Sequence, residues 1–574
     1  MRQEHLPSEE KKWLQYYNNT ALQTTFSSIR LYDAIIHRQG LDRTALTYFG
    51  VKITYRFLYE QIDRVAKSFV QNGISKGDVV MLMLPTTPES VYCFYALNKI
   101  GAVPHMIDVR TPPTRLVEIA NKTKPKILVV MAFYLKRLNV VCNQLNVKRI
   151  ILLRGCDSMP SSVAFWYKTS EYFNGRRRIV KKNHTYSFWP EFLESGNGCR
   201  LNACVPLCHN ETAVIYQTSG TTGFPKSVIH TNESLDNSAK MRNEYLKDPQ
   251  PGDAVLSILP IFTMYGFVFS IHMPLRLGMT VQIVPLFKPF QMKYLVTHNK
   301  PNYIFSVPSQ WEKFATDKKN IGDLSFIKDI FVAGEIIDRN LKLKLNAYLN
   351  EHNSKAEIRP DYGMTETGGS ITIQIDSAKI DKPKNDGYSG IPLPYVDLCI
   401  YDNSTQTELN YNCTGEICVK TPIALKEYMH DEYETRHLRQ CHPDGSEWIH
   451  TGDLGYLSEN GHLYIVGRLK RMIVRFDGTK IYPIEIESII HGIDGVCECS
   501  VVPVKDPIHL QGCLPVAFVT PEKNKCEVRL KKTIIKQCAN QLPDYLQPYK
   551  VQLINEMPHN SMGKIDYNKL IGML

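Results

Sequence analysis

Residues 216–227 read Tyr-Gln-Thr-Ser-Gly-Thr-Thr-Gly-Phe-Pro-Lys-Ser. The end of this stretch resembles a phosphate-binding loop of the G-x-x-x-x-G-K-[ST] type, which runs from a strand directly into a helix. Here Pro225 precedes Lys226, and no helix follows at once. Upstream, Ala213–Tyr216 has the pattern of a short buried strand; downstream, Val228-Ile229-His230 is again extended, and helix-start residues come only at Asn232-Glu233-Ser234. The reading is strand, loop, strand. Gly220 and Gly223 let backbone amides approach an anion closely, Thr218, Ser219, Thr221 and Thr222 add hydroxyl donors, and Lys226 adds a point charge. Such a loop can follow a polyphosphate. Taken alone, its composition suits a Ser/Thr/Gly linker equally well.

The chain around it has 574 residues, 43% hydrophobic and 22% charged, which is enough for several folding units of ordinary soluble composition. The polar start, Met1-Arg2-Gln3-Glu4-His5, is unlike a signal peptide, and no apolar run reaches transmembrane length. The 15 cysteines contain no C-x-x-C pair, so a reducing compartment and a cytoplasmic location are expected. Cys199, Cys204, Cys208 and His209 could supply four metal ligands, but their spacing fits no standard zinc knuckle, and unligated loop cysteines are the plainer reading. The net charge is +11, and the densest basic run, 176–182, lies near Tyr167, Tyr172, Phe173 and Trp189. A solvated insertion explains it, with peripheral contact with an anionic membrane as the sharper alternative. No nucleic-acid partner is expected.

Strand and helix patterns alternate from residue 78 to 153. The apolar run Val79–Leu84 is followed by Thr87 and Pro88, an N-cap and first-turn proline for a helix stopping at Gly101. A helix begins near Pro113, and strands follow at Ile127–Met131 and Ile150–Leu153. This is βαβ punctuation and predicts a parallel sheet. Similar alternation returns at Ala254–Leu259, Val281–Val284 and Ile330–Ala333, while Asp397–Tyr401 and Glu416–Val419 predict a small β subdomain. A break near Gly467–Arg471 divides a large unit, 1–467, from a small α+β unit, 468–574. The fold class expected is α/β: parallel-sheet subdomains plus a small β subdomain, followed by a small α+β C-terminal domain.

The loop has companions downstream: Asp361-Tyr362-Gly363-Met364-Thr365-Glu366, then Trp448 through Gly455, then Gly467-Arg468, and finally Pro558 through Asp566. In this order and at these separations they resemble the adenylate-forming superfamily of acyl-CoA synthetases, luciferase-like enzymes and peptide-synthetase adenylation domains, from about Thr44 to the C-terminus. The resemblance implies a carboxylic acid activated by ATP as acyl-AMP, with Mg²⁺, and passed to a thiol. It assigns the 218–226 loop to the β- and γ-phosphates, Tyr362 and Gly334-Glu335-Ile336 to adenine, and Thr365 to the α-phosphate. Asp361 and Gly363 flank Tyr362 in the same nucleotide motif. Glu366 is implied as the Mg²⁺ ligand, Asp453 and Arg468 as ribose contacts, and Lys470 as the hinge. Lys564 is implied as the cation joining the two anions, where positive charge is needed most. Ser227, Thr263, Tyr395 and Thr421 depart from the family's usual residues; none removes a catalytic charge.

Phe262, Thr263, Tyr265 and Gly266 lie in the stretch that resembles the acyl-pocket motif. It holds no acid to pair with a substrate ammonium, whose unpaired burial is costly, so amino acids are disfavoured. The chain ends ten residues after Lys564, which makes free coenzyme A the simplest acceptor. The expected enzyme is an acyl-CoA ligase for a medium- or long-chain fatty acid, with an aryl acid as the other option. The alternatives are a ligase charging a separate acyl carrier protein and a catalytically silent nucleotide- or acyl-binding protein.

Overall fold

The computed structural model describes residues 6–18, 22, 25–159, 186–201, 205–218, 226–311, 314, 322–337, 339–374, 387–509, 511–522, 527–559 and 565–574. Residues 219–225 of the loop, the basic run 176–182, Cys204 and Lys564 lie outside the described residues.

Two sheets carry the large unit. The first runs, edge to edge, Glu427–Tyr428, Ser227–Thr231, Thr212–Gln217, Val103–Met106, Val79–Met83, Ile127–Met131, Arg149–Leu153 and Tyr186–Phe188. It is parallel except at the Thr212–Gln217/Ser227–Thr231 hairpin and the short Glu427–Tyr428 edge. The second runs Ile358–Pro360, Asp329–Val332, Tyr303–Ser306, Ala254–Ser257, Thr280–Ile283, Thr44–Tyr48 and Val51–Thr54, and is parallel apart from the last pair. Runs such as Ile127–Met131 are apolar at every position because helices cover both faces of a parallel sheet and bury each side chain. The predicted strands and the α/β class are therefore observed.

Helix Pro88–Lys99 shows how the sheets are joined. Thr87 caps it: its hydroxyl accepts from the Ser90 amide at 3.3 Å, and the Ser90 hydroxyl accepts from the Thr87 amide at 3.0 Å. The helix is buried from Pro88 to Asn98. Phe94 packs on Phe267 with ring centroids 3.9 Å apart, and the Tyr95 hydroxyl lies 3.0 Å from His272 Nδ1. Both partners belong to one continuous helical segment, Met264–Phe267, Val268–His272 and Met273–Arg276, whose middle turn is a π-helix. A π-turn inside a helix often marks a functional site.

Beside the two sheets stands a smaller antiparallel one, ordered Thr407–Glu408, Asp397–Asp402, Gly415–Lys420, Glu447–Leu457 and Arg439–Cys441, with Leu463–Arg468 paired to Glu447–Leu457. This is the predicted β subdomain. A single 3₁₀ turn, Leu469–Arg471, leads on to strands Val496–Lys505, Cys513–Pro521 and Lys550–Leu553 with helices Pro483–His491 and Glu527–Gln541. These enclose a core of their own that includes Ile486, Val501, Val519 and Ile534.

Between Ile358–Pro360 and the third sheet, the chain doubles back on itself: Gly363–Met364 pairs with Gly369–Ser370. Gly368 closes this turn at φ +81°, a conformation costly for any residue with a Cβ, and a Cβ there would run into the Ile423 carbonyl oxygen. Gly368→Ala is expected to cost more than about 2 kcal/mol, read as a lowered thermal-unfolding midpoint. Gly492→Ala, in ordinary space at a helix end, serves as the control and should leave that midpoint nearly unchanged.

Candidate active site

The hairpin Thr212–Gln217/Ser227–Thr231 closes the base of the loop with paired bonds. The Thr218 amide donates to the Lys226 carbonyl at 3.0 Å, and the Lys226 amide donates to Thr218 Oγ1 at 3.1 Å. The Gln217 side-chain amide donates to Ser227 Oγ at 2.8 Å. Ser227, one of the departures from the family pattern, thus ties the two strands together. The ammonium of Lys226 forms an ion pair with Glu434 and lies 4.7 Å from the centroid of the Tyr428 ring. The Tyr428 hydroxyl in turn donates to Glu366 Oε1 at 2.8 Å. From the strand after the loop, His230 Nε2 donates to the Thr365 carbonyl at 2.7 Å. Lys226 and the consecutive pair Thr365-Glu366, far from it in the chain, therefore share one neighbourhood.

Glu366 is buried, which pushes its carboxyl up. The Tyr428 hydrogen bond and the charges of Lys226 and Arg468 pull against that. A carboxylate facing two cations and one hydroxyl donor is a suitable oxygen ligand for Mg²⁺, so the residues present fit that ion.

Asp453 is the second meeting point. It lies opposite Arg468 in the antiparallel pairing, and its Oδ1 accepts from Arg468 Nε at 2.8 Å while its Oδ2 accepts from the Tyr362 hydroxyl at 2.8 Å. Asp453 and Tyr362 are buried, whereas the Arg468 side chain is 46% exposed. Asp361, next to Tyr362, is held by Arg242 at 2.5 Å and accepts from the Tyr265 hydroxyl at 3.3 Å. The Arg242 guanidinium lies 4.8 Å from the Phe331 ring centroid and 5.4 Å from that of Phe269. Gly334, Glu335 and Ile336 follow strand Asp329–Val332, as Asp361-Tyr362-Gly363 follow Ile358–Pro360. Both groups leave the carboxyl ends of adjacent parallel strands, where open α/β sheets bind ligands. The Glu335 carboxylate accepts from the Ser309 amide at 3.3 Å, and Ile336 is exposed.

Of the predicted pocket residues, Tyr265 comes closest to expectation: its ring meets Phe269 and Phe305 edge-on, at 5.2 and 6.2 Å. Phe262 is buried in the core. Thr263 is a helix cap, donating to the Pro260 carbonyl at 2.7 Å and accepting from the Gly266 amide at 3.2 Å. Gly266 is needed for closeness, because a Cβ there would run into the Pro260 carbonyl oxygen. These last two positions shape the turn that presents Tyr265. Lys470 sits in the 3₁₀ turn Leu469–Arg471, next to Arg471, which pairs with Glu487 at 2.6 Å and stacks 4.0 Å from the Tyr567 ring centroid. Cys199, Cys208 and His209 do not gather as metal ligands: Cys208 Sγ accepts from Lys76 at 3.3 Å, and His209 is 83% exposed.

Four residues escaped the sequence reading: Arg242, His230, Tyr428 and Glu434. His230 ends the extended run just after the quoted stretch, and its place four residues after Lys226 was the available signal. Tyr428 and Glu434 are some two hundred residues from Lys226 and belong to no spaced pattern.

Two buried histidines give the region a pH dependence. Burial pushes His105 down to about 3 and His230 down to about 4. The unfolded chain takes up these protons near pH 6.5 and the folded chain does not, so stability is intact above 6.5 and is lost as the pH falls towards these lower values. Urea midpoints at about pH 7.5 and about pH 5 should differ less in His230→Gln than in the unaltered chain.

The described geometry agrees with the comparisons. A family profile described as "AMP-binding enzyme" matches residues 33–429, and one described as "AMP-binding enzyme C-terminal domain" matches residues 485–564. The chain is 27% identical to 4-coumarate–CoA ligase 3 of Arabidopsis thaliana over 523 residues, 90% of this chain and 85% of that one. It is also 27% identical to 4-coumarate–CoA ligase CCL1 of Humulus lupulus, covering 92% and 88%. Its fold matches the crystal structure of a benzoate CoA ligase from Burkholderia xenovorans with a TM-score of 0.77 at 17% identity, over 95% of this chain and all of the other. With both profiles in chain order, the first over more than half of the chain, the chain belongs to the AMP-binding enzyme family of the adenylate-forming superfamily.

Proposed function

We propose that this AMP-forming acid–CoA ligase activates an aromatic carboxylic acid. The observation that carries the ligase reading is the convergence of Lys226, Glu366 and the Tyr362–Asp453–Arg468 chain at the strand ends of a family member. The sequence favoured a fatty acid. The aryl reading replaces it because the relatives named above are 4-coumarate–CoA ligases, and it is supported by the ring series Tyr265, Phe269, Phe305 and Phe331 beside the candidate pocket. Flat rings pack edge-on and offset against such walls.

In this reading the 218–226 loop and Lys226 hold the β- and γ-phosphates, Gly334–Ile336 and Tyr362 flank adenine, and Asp453 and Arg468 take the ribose hydroxyls. Glu366 holds Mg²⁺, which supplies charge neutralisation on the phosphates. Thr365 and Lys564 position the α-phosphate and the substrate carboxylate. A carboxylate oxygen attacks the α-phosphorus, and pyrophosphate leaves. Lys564 offsets the negative charge gathering at phosphorus, an electrostatic term worth a few kcal/mol. The coenzyme A thiol then loses its proton and attacks the acyl carbon, releasing AMP. The unit 468–574 turns about Lys470 between the two steps, because Lys564 and a pantetheine arm need different room at one site.

Pyrophosphate release with coenzyme A should show kcat/KM at least about tenfold higher for hydroxycinnamic or benzoic acids than for medium- and long-chain fatty acids. A fatty-acid preference would return the reading to the sequence expectation. Lys564→Ala should lose about 100-fold or more in ATP–pyrophosphate exchange, with ATP affinity kept within a few-fold.

Glu434 competes with the phosphates for Lys226. Glu434→Gln should tighten ATP binding by up to about fivefold, the range of an exposed ion pair, measured by calorimetric titration. Unchanged or weaker binding would mean that the pair supports the site as it stands.

A further inference from the structure

The small antiparallel sheet carries a cluster that the ligase reaction does not use. Cys399 lies directly opposite Cys418 in the pairing of Asp397–Asp402 with Gly415–Lys420, and Cys418 lies directly opposite His450 in the next pairing. Residues directly opposite each other share a face of the sheet, so Cys399, Cys418 and His450 form one row across three strands. The turn after Arg439–Cys441 then folds His442 over the row. Its Nε2 stands 3.1 Å from His450 Nε2, and its ring is stacked on Tyr401 at 3.9 Å and lies parallel to Trp448 at 5.5 Å. The Cys418 sulfur and one nitrogen of each histidine all lie within 4.8 Å of one another.

Two imidazoles whose Nε2 atoms face each other must share one proton or one cation. The other nitrogen of His450 decides which atom is available: Nδ1 is bonded to Glu416 Oε2 at 2.9 Å. Asn403 also donates to that oxygen, at 2.7 Å, and the Gly452 amide donates to Oε1 at 2.9 Å. A carboxylate fixing Nδ1–H leaves the Nε2 lone pair free, the outer-shell arrangement that orients metal-bound histidines. A tetrahedral ion with Zn–N bonds of about 2.0–2.1 Å separates two such nitrogens by about 3.3 Å, close to the spacing found here. The surroundings are apolar: Cys399, Tyr401, Cys418 and Trp448 form a small buried cluster.

We propose that Cys418, His442 and His450 form a zinc site, with its fourth position open to water or to Cys399. Thiolate and imidazole select zinc over an oxygen-preferring ion such as Mg²⁺, so this site is distinct from Glu366. Binding releases the Cys418 thiol proton to solvent and moves the His442 ring proton from Nε2 to Nδ1, so that both imidazoles stay neutral and present an Nε2 lone pair to the ion. The ion would join the hairpin 439–450 to Gly415–Lys420. Through Glu416 it would also stiffen the irregular stretch at Thr451–Gly452 that leads into Asp453.

The test is metal content of the full chain, purified after growth with added zinc and dialysed, measured by mass spectrometry. About one zinc per chain is expected, lost in Cys418→Ser and in His442→Gln but kept in Cys208→Ser. Cobalt loaded in place of zinc should give visible ligand-field bands and a near-ultraviolet thiolate band, the latter absent in Cys418→Ser. His442 is half-buried, so if Cys418→Ser fails to fold, the His442 variant and the cobalt spectrum of the unaltered chain decide. No bound zinc and no cobalt thiolate band in the unaltered chain would overturn the site. So would zinc retained in both variants, or zinc lost in Cys208→Ser alone, which would move the ion to the cysteines near residue 199.

Discussion

The buried pair Arg242–Asp361 is the interaction on which the arrangement of the site depends. Arg242 comes from the helix that follows the hairpin of the first sheet, and Asp361 from the turn that leaves the second. Their side chains are 1% and 0% exposed. Removing one partner from such a pair leaves a charge without an answer in a low-dielectric interior and costs about 3–5 kcal/mol. Tyr362 is the next residue, and its hydroxyl reaches Asp453 in the third sheet. One ion pair thus aligns three sheets at the point where their strand ends meet.

Around that pair the site balances its own charges. Arg468 is answered by Asp453, Lys226 by Glu434 and Glu366 by the Tyr428 hydroxyl. His230 stays neutral and works as a hydrogen-bonding strut between the loop strand and Thr365. These partners hold the charged groups in fixed places, and on the proposed function less reorganisation remains when a nucleotide binds.

Much of the fold could be read from the chain because it rests on local physics. Val79–Met83 and Ile127–Met131 are apolar throughout since both faces of a parallel sheet are covered, and Thr87-Pro88 announces its helix by the chemistry of an N-cap. The 218–226 loop was legible as residue types suited to an anion, and the motifs downstream were legible through their resemblance to a family. What stayed hidden arises from register and long-range return. Tyr428 and Glu434 reach Lys226 and Glu366 because a two-residue edge strand pairs with the hairpin, and no spacing along the chain encodes that. Thr263 and Gly266 were read from a motif, and their cap geometry and closeness to the Pro260 carbonyl appear only in the folded turn. Cys418 and His450 stand 32 positions apart in sequence and side by side in the sheet.

The Lys226–Glu434 pair has a consequence for how the enzyme responds to its ionic surroundings. A lone lysine at the mouth of a nucleotide site draws a polyanion strongly in dilute buffer and loses much of that pull when salt shortens the Debye length to about 8–10 Å. Lys226 already holds an anion, and in the proposed function it exchanges Glu434 for another of the same sign. On the proposed reading, part of its attraction to ATP is offset by the partner it releases, up to the roughly fivefold worth of an exposed ion pair. On that reading the share of nucleotide affinity that Lys226 supplies varies less with ionic strength than a lone lysine's would, even though the chain as a whole carries a net charge of +11.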